Sequence, residues 1–212
     1  MTATLEISEI DQEVLRMFAL VSDGITRATA AFVSGDVAAA RQLVADDLLV
    51  NELQRRIEAS VEEGLTSGTV IGPDAVRSLI AVLRIVPELE RTGDLVEHIA
   101  LRTPQGLAAE LPPRCRGLVE DMGQVAAEMW QIAAEAYAQA DRSAAERLRR
   151  RDDALDDLHV SLTAQLAATD LSVAIAIEMG LVARFYERLG DHAVNVSRRL
   201  HGVDGRGQAI GA

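Results

Sequence analysis

The sequence contains a single cysteine, Cys115, so no disulfide can close within the chain, and there is no Cys-x-x-Cys pair for redox or zinc chemistry. Aromatic residues make up only 3% and there are five prolines in 212 residues, while alanine, leucine, glutamate and arginine abound. That composition favours helices and supplies few of the aromatic side chains on which sheets depend. Lysine is absent: arginine supplies all 21 cationic residues, and 33 acidic ones bring the net charge to −12. Such a balance argues against a nucleic-acid binder, because a phosphate-neutralising face would be opposed by acidic repulsion. Long apolar runs are missing as well. Leu171 to Leu181 comes nearest, but Glu178 interrupts it and it falls short of the ~18 residues of a membrane span. Met1 to Glu6 shows neither a basic n-region nor an apolar h-region, so the expected compartment is a reducing cytoplasm. The glycines from Gly202 to Gly207 have no strand before them and no helix after, which excludes a phosphate-cradling loop. No nucleophile and base stand at a recognisable catalytic spacing.

What the sequence has is an internal repeat. Glu90-Arg91-Thr92-Gly93-Asp94 returns at an offset of 97 as Glu187-Arg188-Leu189-Gly190-Asp191. Four residues after each copy comes a polar side chain, His98 or Asn195. Upstream a second register holds at an offset of 105, pairing Val14 with Val119, Met17 with Met122, Phe32 with Tyr137, Asp47 with Asp152 and Leu53 with Leu158. The difference of 8 places one insertion in the first half, near Ser67-Gly68 and Gly72-Pro73. A duplication with one loop insertion accounts for both registers.

Helical periodicity runs through both halves. The first helix is expected over 5–33, with Val14, Met17, Val21, Ile25 and Ala28 as its buried stripe. Gly35 suits a left-handed C′ position and Asp36 an N-cap. Further helices are expected over 37–65 and 74–102, the latter kinked by Pro87. Residues 103–113, with Pro104, Gly106, Pro112 and Pro113, form the linker. A fourth helix over 114–139, a fifth capped by Asp141 and running to 168, and a sixth capped by Asp170 and running to 201 complete the second half. The expected fold is all-α: two tandem three-helix repeats (1–103 and 114–201) packed as a six-helix bundle with pseudo-twofold symmetry, followed by a flexible tail over 202–212.

The chemistry lies in acidic rows. Glu90 and Asp94, and Glu187 and Asp191, stand four apart and so share a helix face. Like charges at that spacing repel, and either a bridging cation or the adjacent Arg91 and Arg188 would relieve them. The second helix of each repeat offers a matching row, Asp47 with Asn51 and Asp152 with Asp156. If the second and third helices pack antiparallel, the rows face each other. The candidate metal ligands are then Asp47, Asn51, Glu90 and Asp94 in one half and Asp152, Asp156, Glu187 and Asp191 in the other. All-oxygen sets suit hard or borderline cations such as Mg²⁺, Mn²⁺, iron or Zn²⁺. The plain alternative is a solvated face with arginine ion pairs. Gly93 and Gly190, poor helix formers, imply close helix approach. The ferritin-type Glu-x-x-His pattern is absent, and Asp156-x-x-His159 is a solitary near match. His192 and His201 read as surface or packing residues, Cys115 as a small buried one and Trp130 as core. Arg147, Arg149, Arg150 and Arg151 read as a solvated face flanked by Glu146, Asp152 and Asp153.

A duplicated three-helix unit with Glu90-Arg91-Thr92-Gly93-Asp94, Asp152-x-x-x-Asp156 and Glu187 to Asn195 resembles the PhoU family over about residues 8–201. The resemblance implies a non-enzymatic cytoplasmic regulator, a homodimer that binds metal through these motifs and contributes to phosphate homeostasis. Its implied partners are the phosphate ABC transporter ATPase and a sensor histidine kinase, with repression of the phosphate-starvation response as the output. Contact with the membrane would be only through those partners. A related type partners ion-coupled permeases. The alternative is a metal-dependent hydrolase that activates water at the acidic cluster. Asn51 departs from the family pattern, where an aspartate is expected, and lowers the charge of the first site.

Overall fold

The computed structural model describes residues 2–200, apart from 69, 71, 140 and 142 and the side chains of residues 2–6. The expected tail, and His201, lie outside the described residues. The described elements are helices: α1 (Thr2–Ser34), α2 (Val37–Thr66), α3 (Pro73–Ala100), a 3₁₀ turn (Thr103–Gln105), α4 (Leu107–Glu110), α5 (Pro113–Gln139), α6 (Ala144–Ala168) and α7 (Val173–Leu200).

Local chemistry sets most of the boundaries. Gly35, at φ 72°, ends α1 in the left-handed region open to glycine, and the Asp36 side chain accepts the Ala38 and Ala39 N–H groups to start α2. Two other expected caps are wrong. Asp141 lies two residues before the N-cap Ser143; it accepts the Ser143 N–H at 2.8 Å and pairs with Arg147. At α7 the Ser172 hydroxyl, not Asp170, accepts the Ile175 N–H. In each case a serine stands nearer the first turn than the aspartate does. Pro87 lies within a continuous α3, where its missing N–H leaves the Leu83 carbonyl without a helical donor. The 103–113 segment is more ordered than a linker. Leu107, Ala108 and Leu111 are buried, and Arg116 donates to the Ala108 and Leu111 carbonyls at 3.3 and 2.7 Å.

Helices α1, α2 and α3 pack mutually, as do α5, α6 and α7. Between the two units α1 meets α5 and α3 meets α7, whereas α2 and α6 pack on their own units at the outside. The two main seam contacts thus each join an element to its own repeat equivalent, the pattern that a twofold axis imposes. The scarce aromatics gather here. Phe18 of α1 packs 5.9 Å from Trp130 and 5.5 Å from Tyr137 of α5, ring centre to ring centre. Such pairs are worth about 0.5–1.5 kcal/mol beyond area burial. Their polar ends find partners: Trp130 Nε1 donates to the Leu189 carbonyl at 3.0 Å and the Tyr137 hydroxyl to Asp11 at 2.5 Å. The Thr29 and Tyr186 hydroxyls meet at 2.8 Å, and burial pushes the Tyr186 phenol well above its ordinary value. Cys115 and Trp130 are fully buried.

The seam also holds a buried ionic group. Glu88 of α3 and His192 of α7 are 2% and 6% exposed, and the Glu88 carboxylate lies 2.5 Å from His192 Nδ1. Arg199 pairs with the same carboxylate and donates to the Arg84 carbonyl, next in sequence to the Leu83 carbonyl that Pro87 leaves without a helical donor. Arg102, the repeat equivalent of Arg199, crosses the other way. It pairs with Glu178 at 2.9 Å and lies 4.7 Å over the ring of Phe185, the equivalent of Glu88. The two corners share a plan and differ in chemistry: at Arg199 the ion pair is with buried Glu88, and at Arg102 an ion pair is joined by a cation–π contact.

Two acidic crevices between paired helices

The glycines of the repeated motif decide how closely the second and third helices of each unit approach. Gly93 on α3 faces Asp47 and Val50 on α2: a Cβ built there would lie 3.2 Å from Asp47 Oδ1 and 3.2 Å from a Val50 methyl. Gly64 of α2 meets Leu79 near the other end of α3, so the pair runs antiparallel. In the second unit a Cβ at Gly190 would lie 2.9 Å from Asp152 Oδ1 and 2.7 Å from a Leu155 methyl. Each glycine therefore brings an aspartate of the facing helix against the backbone of the motif, and the two rows face each other in both halves.

The electrostatics follow. In the first crevice burial raises the Asp47 carboxyl above its ordinary range, helped by Glu97 and Asp94. Burial, then Asp94, raises Glu90, which also feels Asp47 and Glu58. Asn51 donates to Asp47 Oδ2 at 2.7 Å, so here the amide steadies the carboxylate. In the second crevice burial first, then Asp156 and Asp191, push Asp152 up to about 6. Glu187 is raised by burial and by Asp191, against the lowering effect of Arg184. The eight candidate residues thus fall into two groups of four, one along each crevice. Glu58 and Glu97 in the first, and Asp153 and His159 in the second, belong electrostatically to the same groups; the sequence reading left them out of the rows. Glu97 stood three residues past Asp94 and Glu58 seven past Asn51, helical spacings that signal the same faces. His98 acts on Asp47 with a small lowering influence and packs tilted against Phe185, ring centres 5.5 Å apart, and Asn195 accepts from Arg198.

The two crevices differ behind their acids. Arg27 of α1 pairs with Asp46 at 3.1 Å beside the first, next to a cavity of about 40 Å³ lined by Gly24, Asp47 and Gly93. Beside the second, Glu128 of α5 pairs with Arg151 at 3.0 Å, the charges exchanged. Arg147 is half-buried and Arg149 and Arg150 are exposed, and they pair with Asp141, Glu146 or Asp153.

A hard cation fits these donors by type, and one oxygen is available: Glu187 Oε2 is shielded from solvent and makes no hydrogen bond, with Arg184 alongside as its ion pair. Among the described residues, however, no three His, Cys, Asp or Glu side chains converge as a metal-holding group. The helices bring the rows together, and the carboxylates do not close on a point.

Comparison with known proteins resolves the family. The model of the PhoU domain matches twice, over residues 14–103 and 119–200. The chain belongs to the PhoU family. Its two PhoU domains coincide with the two three-helix units. Among curated relatives, the phosphate-specific transport system accessory protein PhoU homolog 2 of Mycobacterium tuberculosis is 33% identical over 201 residues, 92% of each chain. Among solved structures, PhoU from Streptococcus pneumoniae aligns with a TM-score of 0.86 at 22% identity, covering 95% of this chain and 96% of that one. PhoU from Pseudomonas aeruginosa aligns with a TM-score of 0.84 at 24% identity, covering 92% and 95%. These structures share the fold. None of the described helices is long and apolar enough to cross a membrane.

Proposed function

We propose that this protein is a regulator of phosphate uptake, a cytoplasmic, non-enzymatic adaptor that links a phosphate ABC transporter ATPase to a sensor histidine kinase and represses the phosphate-starvation response. The observation that carries this reading is the likeness to the mycobacterial accessory protein along 92% of both chains. The form of the molecule supports it: the long outer helices α2 and α6 pack on one side only, within their own units, leaving broad surfaces for partners. An ion-coupled permease is the other class of transporter such an adaptor could serve, and a homodimer is the expected assembly.

Metal belongs to the proposal. Asp152, Asp156, Glu187 and Asp191 would hold Mg²⁺, Mn²⁺, Zn²⁺ or iron more tightly than Asp47, Asn51, Glu90 and Asp94, because Asn51 brings no charge and already hydrogen-bonds Asp47. A bound cation would supply charge neutralisation between facing helices.

Deletion of the gene tests the function. Starvation-induced genes should switch on in phosphate-replete medium, and charge reversal at Glu187 and Asp191 should impair repression more than reversal at Glu90 and Asp94. Normal repression in the deletion strain, or robust phosphatase turnover by the purified protein, would overturn the adaptor reading.

A further inference from the structure

The outer face made by α3 and α7 has a character that the acidic crevices do not explain. Residues seven apart share a helix face. On α3, Arg84, Arg91 and His98 form one such stripe and all are exposed; on α7, Leu181 and Arg188 are exposed and Asn195 half-buried. The offset of 97 maps one stripe onto the other, Arg91 onto Arg188 and Ile80 onto Ile177. The helices cross antiparallel, with Glu88 beside His192 and Arg102 beside Glu178. That register brings Arg91 and Arg188 to the same level, flanking the pseudo-twofold axis. Apolar side chains lie toward both ends: Ile80 and Leu83, each 38% exposed, at one, and Ile177 and Leu181, 59% and 40% exposed, at the other.

Arginine is dense here. Arg84, Arg91, Arg102, Arg184, Arg188 and Arg199 lie along this face with Glu88, Glu178 and Glu187, while Asp94 and Asp191 stand one turn from Arg91 and Arg188 at the crevice edges. Among the described residues no carboxylate pairs with Arg84 or Arg188. On α6, by contrast, Arg149 and Arg150 are both paired with Glu146.

We propose that the α3/α7 face is the docking surface for an acidic amphipathic helix of a protein partner. Guanidinium groups offer planar forks that bind carboxylates in pairs, and the isoleucines and leucines at the two ends receive the apolar side of such a helix. The acidic remainder of the surface repels the same helix, which orients the encounter. A second copy of this chain would present arginine to arginine. An anionic bilayer would meet the acidic crevices that flank the face. Charge complementarity therefore selects a protein segment.

This proposal rests on the adaptor reading, and the test separates the two. The probes are the purified transporter ATPase subunit and the cytoplasmic region of the histidine kinase from the same organism, with affinity measured by biolayer interferometry. The expected result is binding of at least one probe by the unmodified protein, at least tenfold weaker for R91E/R188E and within twofold for the control R149E/R150E. All four side chains are exposed, and circular dichroism confirms that both variants stay helical. Equal binding by the two variants overturns the surface assignment alone. Loss of self-association by R91E/R188E in sedimentation gives the face to a second copy and overturns it. So does loss of binding to phosphatidylglycerol vesicles, which gives it to lipid. Binding of neither probe by the unmodified protein overturns the adaptor reading, and the docking proposal falls with it.

Discussion

Gly190 on α7 stands so close to Asp152 on α6 that a methyl group on its Cα would lie 2.9 Å from the Asp152 carboxylate oxygen. The corresponding distance from Gly93 to Asp47 is 3.2 Å. The same device is thus set tighter in the second unit. Tightness and charge coincide there, since Asp152 is also the carboxyl pushed furthest from its ordinary range among those of the two rows.

Alanine substitution should separate the two glycines. In a helix interior Ala gains about 1 kcal/mol over Gly. At Gly93 that gain roughly offsets a contact that needs a few tenths of an ångström of give, so G93A should leave the melting temperature nearly unchanged. At Gly190 the added atom meets both Leu155 and Asp152, and overpacking costs of about 1–3 kcal/mol apply. G190A should melt several degrees lower. A G190A protein as stable as G93A would show that α6 and α7 part freely.

The pH dependence of stability has a definite sign. The folded-state carboxyl of Asp152 is raised from 3.8 to about 6, so the native protein binds this proton more tightly than the unfolded chain. Its contribution favours folding at low pH and is lost as pH rises from about 4 to 6. D152N should therefore be more stable than the unmodified protein at pH 7, by an amount on the order of 1 kcal/mol once solvent screening of a half-exposed group is allowed for. The advantage should disappear below pH 4. Thermal melts across pH 4–8 check this, and repetition with Mn²⁺ adds a second readout. Added metal should stabilise the unmodified protein and not D152N. A variant less stable at pH 7 would show that the carboxylate is compensated by a partner in the fold.

Glu88 tests the seam. It is 2% exposed and faces both His192 and Arg199, so E88A leaves the buried His192 ring and the half-buried Arg199 guanidinium without their carboxylate partner. Removing one partner of such a pair costs about 3–5 kcal/mol. E88Q, which keeps hydrogen-bonding capacity, should cost less. Urea denaturation measures both, and a cost below about 1 kcal/mol for E88A would show that solvent reaches this part of the seam.

Much of the fold was legible because helices announce themselves locally. The stripe of Val14, Met17, Val21 and Ile25, the stop at Gly35 and the cap at Asp36 all act within a few residues, and the structure shows each of them at work. The facing of the acidic rows was legible because a repeat doubles a weak signal and because glycine within a helix marks a close approach. The cap at Asp170 failed through competition, since Ser172 stood nearer the first turn, whereas Asp141 lies two residues before the N-cap and takes the Ser143 N–H and Arg147 instead. The Glu88–His192–Arg199 group was not found, because Glu88 lies more than a hundred residues from the other two in sequence. The only local sign was a charged residue at 88 within the stripe of Ile85, Leu89, Leu95 and Ile99. Convergence of the carboxylates on one point depends on rotamers, and sequence spacing carries no information about these.

The pairing of each seam helix with its own counterpart has a kinetic meaning. Two separate three-helix chains would meet by diffusion, and their union would weaken on dilution. Joined through residues 103–113, the same surfaces meet at an effective concentration of about millimolar, whatever the amount of protein in the cell. Joining also frees the partners from being identical. Glu88 opposite His192 can coexist with Phe185 beneath Arg102, and Asn51 with Asp156, a division of labour that two copies of one short chain could never hold.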